Sequence, residues 1–204
     1  MPRLSIGVRL DKHWERFCGH ELTGSKMVLI GLGMVGTRIA ELSSALGIEV
    51  IGHRRRPGGD PPPGVRRLVD LAALDNVLGE ADFLVIAAPE TPETVKLVDH
   101  RRLRLLPPRA VLVNVGRGSL VDEDALVEML EGNHLRGAAL DVFAGEPLPT
   151  ESKLWSLPNV IVSPHSASTV VSENDRLVDL FIENLRRYLD GRPLINEFDH
   201  SKQY

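Results

Sequence analysis

The chain of 204 residues contains a single cysteine, Cys18, and this excludes an internal disulfide. Because no second cysteine lies at a zinc-ligand spacing from it, we expect Cys18 to be chemically inert and the protein to hold no metal ion. A protein without disulfides is suited to a reducing compartment, so we expect a cytoplasmic location.

Long apolar runs are also lacking, and none approaches the length of a membrane span. The first residues have no signal-peptide core. The net charge of -4 lacks the basic excess that nucleic acids and anionic membranes attract. We therefore expect neither a nucleic-acid nor a membrane partner, and the 43% of hydrophobic residues is typical of a soluble globular protein.

The most informative feature present is a glycine-rich turn between an apolar run at 27–30 and a helical pattern at 37–46. In a dinucleotide-binding βαβ unit, Gly31 permits the tight turn, Gly33 lets a pyrophosphate approach the backbone, and Gly36 lets helix and strand pack closely. The phosphates would lie at the helix N-terminus, where free N–H groups and the dipole favour an anion. The alternative is a glycine turn in a sheet protein that binds no nucleotide. The predicted cofactor-binding turn comprises Gly31, Gly33, Met34, Val35 and Gly36.

Strand and helix signals alternate along the chain from Lys26 to about Pro164, interrupted by an exposed loop at 57–64. This alternation predicts an α/β fold with a doubly wound parallel sheet of the Rossmann type and helices on both faces. Strands are predicted at 27–30, 48–52, 65–69, 83–87, 110–115, 137–142 and 160–163. Helices are predicted at 37–46, 70–79, 94–106, 122–130 and along an apolar stripe at 177–189.

The predicted domain organisation has three parts. We expect a flanking or crossover helix at 1–22, a dinucleotide-binding domain at 23–168, and a C-terminal helix and tail at 169–204. The apolar residues of the first and last parts need a surface to bury them. The two parts could bury these residues against each other, or a second copy of the chain or a further domain could cover them.

Three ionisable residues follow three successive predicted strands: Arg117, Glu146 and His165. Ligands of open parallel sheets bind outside the carboxyl ends of the strands. An acid–base imidazole, its carboxylate partner and an arginine are the groups that hydride transfer to a 2-keto acid needs. Taken singly, each residue could be a turn residue, a loop acid or a structural histidine, and the joint occurrence favours a site.

Seven short segments together match the sequence pattern of one enzyme family: 31–36 (GLGMVG), 91–94 (TPET), 113–118 (VNVGRG), 140–143 (LDVF), 146–149 (EPLP), 157–160 (LPNV) and 164–165 (PH). With them, the chain resembles the D-2-hydroxyacid dehydrogenase family from Trp14 to about Asn196. The resemblance implies catalytic roles for Arg117, Glu146 and His165, acting on a small 2-keto or 2-hydroxy acid. It also implies that Asp141 places the nicotinamide ring, that Pro89 and Thr91 line the adenosine ribose, and that the protein is a homodimer.

The residues at the end of the second predicted strand bear on the choice of cofactor. NAD enzymes usually have an acid here, about 20 residues after the glycine turn, that binds the ribose 2′-hydroxyl. This chain has instead His53, Arg54, Arg55 and Arg56. Arginines attract a 2′-phosphate that a carboxylate would repel, so we expect NADP rather than NAD, although NAD remains possible. The alternative is an arginine run on a solvated loop.

The sequence leaves more than one function open. The leading hypothesis is an NAD(P)-dependent 2-hydroxyacid dehydrogenase. Full-length members of the family have a second, substrate domain, most of which we expect to be absent from this chain. The alternative is therefore a catalytically impaired NAD(P)-binding module or fragment that acts through its cofactor or a partner.

Overall fold

The structure, a computed structural model, describes residues 19–55 and 58–197. The predicted helix at 1–22 falls mostly outside these ranges, as do Cys18 and Arg56. The chain divides into two compact units, Met1–Pro164 and His165–Tyr204.

The first unit is built on a seven-stranded sheet in which every neighbouring pair of strands is parallel. The strand order is β3-β2-β1-β4-β5-β6-β7, which reverses direction at β1. This confirms the predicted Rossmann-type parallel sheet. The strands are β1 (Lys26–Ile30), β2 (Glu49–His53), β3 (Val65–Val69), β4 (Phe83–Ile86), β5 (Val111–Asn114), β6 (Gly137–Leu140) and β7 (Val160–Val162).

Within the described residues five α-helices accompany the strands, and three of them begin at an aspartate. Asp70, Asp99 and Asp122 each accept a hydrogen bond from the backbone N–H three residues ahead, which supplies a partner to a donor that a helix start leaves open. The helices are α1 (Met34–Ala45), α2 (Leu71–Leu78), α3 (His100–Leu105), α4 (Glu123–Glu131) and α5 (Glu173–Leu189).

The buried side chains of β1, β2 and β4 alternate between two cores, one on each face of the sheet. In β1, Val28 and Ile30 join the larger core with residues of α2, α3 and α4. Met27 and Leu29 face the other way and join a smaller core with Ala40 of α1. The near-continuous apolar patterns of these strands therefore correspond to strands that are buried on both faces.

The predicted helix at 94–106 is wrong in its first half. Only α3 is helical, and it begins after Asp99. The preceding backbone bonds instead to the segment after β5: the Lys96 N–H donates to the Ser119 carbonyl at 2.8 Å and the Val98 N–H to the Leu120 carbonyl at 2.9 Å. These long-range bonds replace the local ones that a helix would use.

The second unit contains α5, and the chain after it folds back on the helix. The Asn184 side chain accepts the Ile195 N–H at 2.7 Å and donates to the Ile195 carbonyl at 3.1 Å. Exposed apolar side chains run along α5, namely Leu177, Val178, Phe181, Ile182, Leu185, Tyr188 and Leu189. In the part of the chain that the structure describes, none of the helices has the length and apolar character needed to cross a bilayer.

The burial of the central strands predicts that two leucine substitutions differ in how much they lower the stability of the protein. Leu84 in β4 is 0% exposed and Leu71 at the start of α2 is 44% exposed. Leu84→Ala leaves a cavity in the larger core and should lower the free energy of unfolding by about 3 kcal/mol, against less than about 1 kcal/mol for Leu71→Ala. Urea denaturation of the two variants measures the difference, and equal losses would contradict the described core.

Candidate functional site

All seven carboxyl ends of the parallel strands lie along one edge of the sheet. The glycine turn leaves β1 at this edge, between β2 on one side and β4 on the other. The strand order reverses there, which is where parallel sheets form a crevice for ligands. We call this edge, with the loops that follow the strands, the carboxyl edge.

The glycine turn is held closely against its neighbours. Gly31 has a φ of +96°, and a Cβ there would lie 2.6 Å from the backbone nitrogen of Ala88. A Cβ on Gly36 would lie 1.9 Å from the carbonyl oxygen of Gly31. Both positions therefore require glycine: Gly31 for its conformation and Gly36 for the close contact between α1 and the turn.

Gly33 differs, because a Cβ there would meet nothing within 4 Å among the described residues. Gly33 caps α1, and the first turn of that helix, all of it described, carries no acidic residue. Met34 and Val35 are exposed beside it. The turn is thus an open backbone cradle at a helix N-terminus, which fits the pyrophosphate of a dinucleotide.

The end of β2 places a histidine under this turn. His53 is 8% exposed, and its carbonyl oxygen accepts the Gly31 N–H at 3.1 Å. Burial lowers the pKa of the imidazole most, and the charge of Arg102 lowers it further, while Asp70 acts in the opposite direction. His53 is therefore neutral at neutral pH.

Of the described arginines after His53, Arg55 lies close to the loop that follows β4. Arg54 is half-buried and donates from Nη2 to the Gly58 carbonyl. Arg55 is exposed. A hydrogen bond from Thr91, its own backbone N–H and the charge of Arg55 lower the pKa of Glu93. Arg55 and the loop of residues 89–94 therefore bound the same part of the carboxyl edge.

Hydrogen bonds of Thr94 hold the loop of residues 89–94 together. The Thr94 hydroxyl donates to the Pro89 carbonyl at 2.9 Å and accepts the Thr91 N–H at 2.7 Å. Thr91 is buried. Pro89 and Thr91, both predicted to line the cofactor, thus belong to one hydrogen-bonded turn at the end of β4.

The loop that carries Arg117 is shaped by Asn114, the last residue of β5. The buried Asn114 amide donates to the Arg117 carbonyl at 2.9 Å and accepts the Gly116 N–H at 3.0 Å. A Cβ on Gly116 would lie 2.7 Å from the Ala88 carbonyl, and one on Gly118 would lie 1.9 Å from the Phe143 carbonyl carbon. The loop is therefore confined between the ends of β4 and β6, with Arg117 exposed between its two glycines.

The segment after β6 contains both acidic residues of the predicted site. Asp141 is buried, and its Oδ1 accepts the Ser163 hydroxyl at 2.5 Å, which ties β6 to the end of β7. Glu146 is exposed, and its Oε1 accepts the Phe143 N–H at 3.0 Å. Because Gly118 packs against Phe143, the structure brings the loops of Arg117 and Glu146 together.

His165 begins the second unit, with a φ of +51° and an exposed side chain. It follows β7 by three residues in sequence. Its pairing with Glu146 stays a prediction.

Asn114 is the site residue that the sequence reasoning missed. An asparagine followed by two glycines within four residues is a turn signal, because its short amide can bond to the backbone two or three residues on.

Across residues 19–55 and 58–197, no three His, Cys, Asp or Glu side chains are grouped as a metal ion would need.

Comparisons with known proteins agree with a dinucleotide-binding fold. Residues 6–167 match a family profile described as D-isomer specific 2-hydroxyacid dehydrogenase, NAD binding domain. A D-3-phosphoglycerate dehydrogenase of Mycobacterium bovis is 37% identical over 193 residues, which are 94% of this chain and 36% of that protein. A glyoxylate reductase of Thermococcus gammatolerans is 34% identical over 179 residues, covering 88% and 53%.

Among solved structures, an NADPH-dependent glyoxylate/hydroxypyruvate reductase from Sinorhizobium meliloti, in complex with NADP and sulfate, matches with a TM-score of 0.86. It is 32% identical, and the match covers 97% of this chain and 63% of that one. The chain thus spans between about a third and about half of the length of the curated relatives quoted above.

The close contact at Gly118 predicts that alanine there is costly. The methyl group would overlap the Phe143 backbone, so Gly118→Ala should lower the free energy of unfolding by about 3 kcal/mol. Gly145→Ala is the matched control, since a Cβ at Gly145 would meet nothing within 4 Å of the described structure. Thermal or urea unfolding of both variants tests this, and a Gly118→Ala protein as stable as the control would refute the contact.

Proposed function

Because the chain belongs to the D-isomer specific 2-hydroxyacid dehydrogenase family, we propose that it binds a nicotinamide dinucleotide and reduces a small 2-keto acid, or runs the reverse reaction. One observation carries this proposal. The open cradle at Gly33 lies on the same carboxyl edge as Arg117, Asp141 and Glu146. Residues 23–168 would form the dinucleotide-binding domain.

The preferred cofactor in this proposal is NADP. Arg54 and Arg55 stand where NAD enzymes usually have an acid, and Arg56 follows them in sequence. The Nε atom of Arg54 is buried without a hydrogen-bond partner among the described residues, and a phosphate oxygen would supply one. The Sinorhizobium meliloti relative holds NADP, which agrees with this choice.

The bound cofactor would supply or accept a hydride at the substrate carbon. Arg117 would hold the substrate carboxylate and carbonyl with its planar guanidinium. His165 would give a proton to the carbonyl oxygen, and Glu146 would orient the imidazole. Asp141, fixed by Ser163, would place the nicotinamide ring beside them.

The assembly in this proposal is a cytoplasmic homodimer. The end of helix α1 offers a surface for a second copy, because Leu42 and the capping residue Leu46 lie four residues apart and are 52% and 57% exposed. Burying such a row against its copy would remove apolar surface from water.

The arginines predict a selective loss of NADPH affinity. The double variant Arg54→Ala/Arg55→Ala should raise the Kd of NADPH about 100-fold, because each charge-assisted bond to the phosphate contributes about 1.5 kcal/mol. The Kd of NADH should change less than about threefold, since NADH lacks the 2′-phosphate. Nicotinamide fluorescence titration measures both constants.

Two control variants frame this experiment. Arg66→Ala removes an exposed arginine of β3 that pairs with Glu49, and it should leave both constants unchanged. Gly33→Ala should weaken NADPH and NADH alike, because its methyl group would occupy the cradle without disturbing the fold. Tighter binding of NADH than of NADPH by the unaltered chain would reverse the cofactor assignment.

The acid–base role predicts the effect of changing His165. If the chain turns over a 2-keto acid with NADPH, His165→Gln should lower kcat/KM about 1,000-fold while leaving the Kd of NADPH within about threefold. His100→Gln, in an exposed histidine of α3, is the control and should keep full activity. Absorbance of NADPH with a panel of 2-keto acids follows the reaction. Saturable NADPH binding without turnover on any acid would instead favour a cofactor-binding module.

A further inference from the structure

His53 is a buried imidazole that has no hydrogen-bond partner at either ring nitrogen among the described residues. It is the last residue of β2 and pairs in register with Ile30 of β1 and Val69 of β3. Buried polar groups in proteins nearly always have a partner, so two orphaned nitrogens on one ring need a physical reason. A structural histidine would be expected to bond to a carbonyl or a hydroxyl.

Two charges act on His53, that of Arg102 in α3 and that of Asp70, which caps α2. Arg102 of α3 is held in place by Asp75, with Nε 2.7 Å from Oδ1, and by the Leu97 carbonyl at 2.7 Å. Asp70 is the cap of α2, and its carboxylate is engaged by the Ala73 N–H. Arg54 adjoins His53 in sequence. Burial does most to keep the ring neutral, the charge of Arg102 acts in the same direction, and Asp70 acts against them.

We propose that His53 takes up a proton when a dinucleotide with a 2′-phosphate binds, and that it thereby strengthens the preference for the phosphorylated cofactor as the pH falls. This inference rests on the proposed function. The proton comes from solvent, the neutral imidazole becomes an imidazolium, and the phosphate keeps its charge. A phosphate dianion beside Arg54 and Arg55 would add two negative charges near His53, and their attraction for the imidazolium would oppose the effects of burial and of Arg102.

The titration of the 2′-phosphate itself does not produce an uptake of protons on binding. A phosphomonoester loses its second proton with a pKa near 6, so at pH 7.5 it is almost entirely a dianion before binding. Because arginines stabilise the dianion, binding can only remove the few protons that the phosphate still holds, which is a small release of protons. Net uptake of protons therefore has to arise on the protein.

Calorimetric titration of the full chain with NADPH and with NADH tests this, at pH 7.5 in buffers that differ in ionisation enthalpy. NADPH binding should take up about half a proton, and NADH binding close to none. Correspondingly, the Kd of NADPH should rise about threefold for each pH unit between 7 and 8, while that of NADH stays level.

The variants His53→Gln and His53→Phe should abolish the proton uptake and flatten the pH dependence of NADPH binding. His134→Phe is the matched control, because its Nε2 is also buried without a partner in the described structure. It precedes β6, at the opposite edge of the sheet, and should leave the uptake unchanged. If the His53 variants fail to fold, nitrogen NMR of the His53 ring in the unaltered chain decides, since the cation should appear with NADPH and not with NADH.

The possible outcomes separate the two proposals. Tight NADPH binding with no more proton uptake than NADH, or uptake that persists in His53→Gln, would overturn the inference and leave the proposed function intact. Failure of the chain to bind NADPH at all would overturn the proposed function, and the inference with it.

Discussion

The parallel direction of all seven strands is the constraint on which the rest of the structure depends. Parallel hydrogen bonding places every carboxyl end at one edge, so the loops after the strands become neighbours whatever their separation in sequence. Residues as far apart as Gly33 and Glu146 therefore share one edge of one sheet. The helices that connect the strands bury both faces, which leaves this edge for a ligand.

Close backbone contacts, more than side-chain bonds, position the loops of this edge. Gly31 lies against Ala88, Gly116 against the Ala88 carbonyl, and Gly118 against Phe143, each at a distance that excludes a Cβ atom. Asn114 adds two hydrogen bonds that close the loop between them. The glycine positions thus pack the ends of β1, β4, β5 and β6 closely against one another, whereas a Cβ at Gly33 would meet nothing within 4 Å among the described residues.

The fold could be predicted from sequence where local chemistry decided it. β3 has the bounds that its apolar pattern predicts, and Asp70 and Asp122 cap helices as their positions indicate. The prediction of a helix at 94–106 failed in its first half because the backbone there bonds to residues 119, 120 and 122, a long-range pairing that no local pattern reveals. In the site, the glycine turn and the strand-end residues were visible as motifs. The role of Asn114 and the burial of His53 were not, since both depend on contacts made only in the folded chain.

The central claim is that the turn at Gly31–Gly36 receives the pyrophosphate of a dinucleotide. An amide NMR titration of the full chain with NADPH and with ADP-ribose tests it most directly. The account predicts that both ligands shift the backbone amides of residues 32–36 most strongly, with saturation at the same ligand concentration as the amides of Arg54 and Arg55. Binding that shifts amides elsewhere and leaves residues 32–36 unchanged would contradict it.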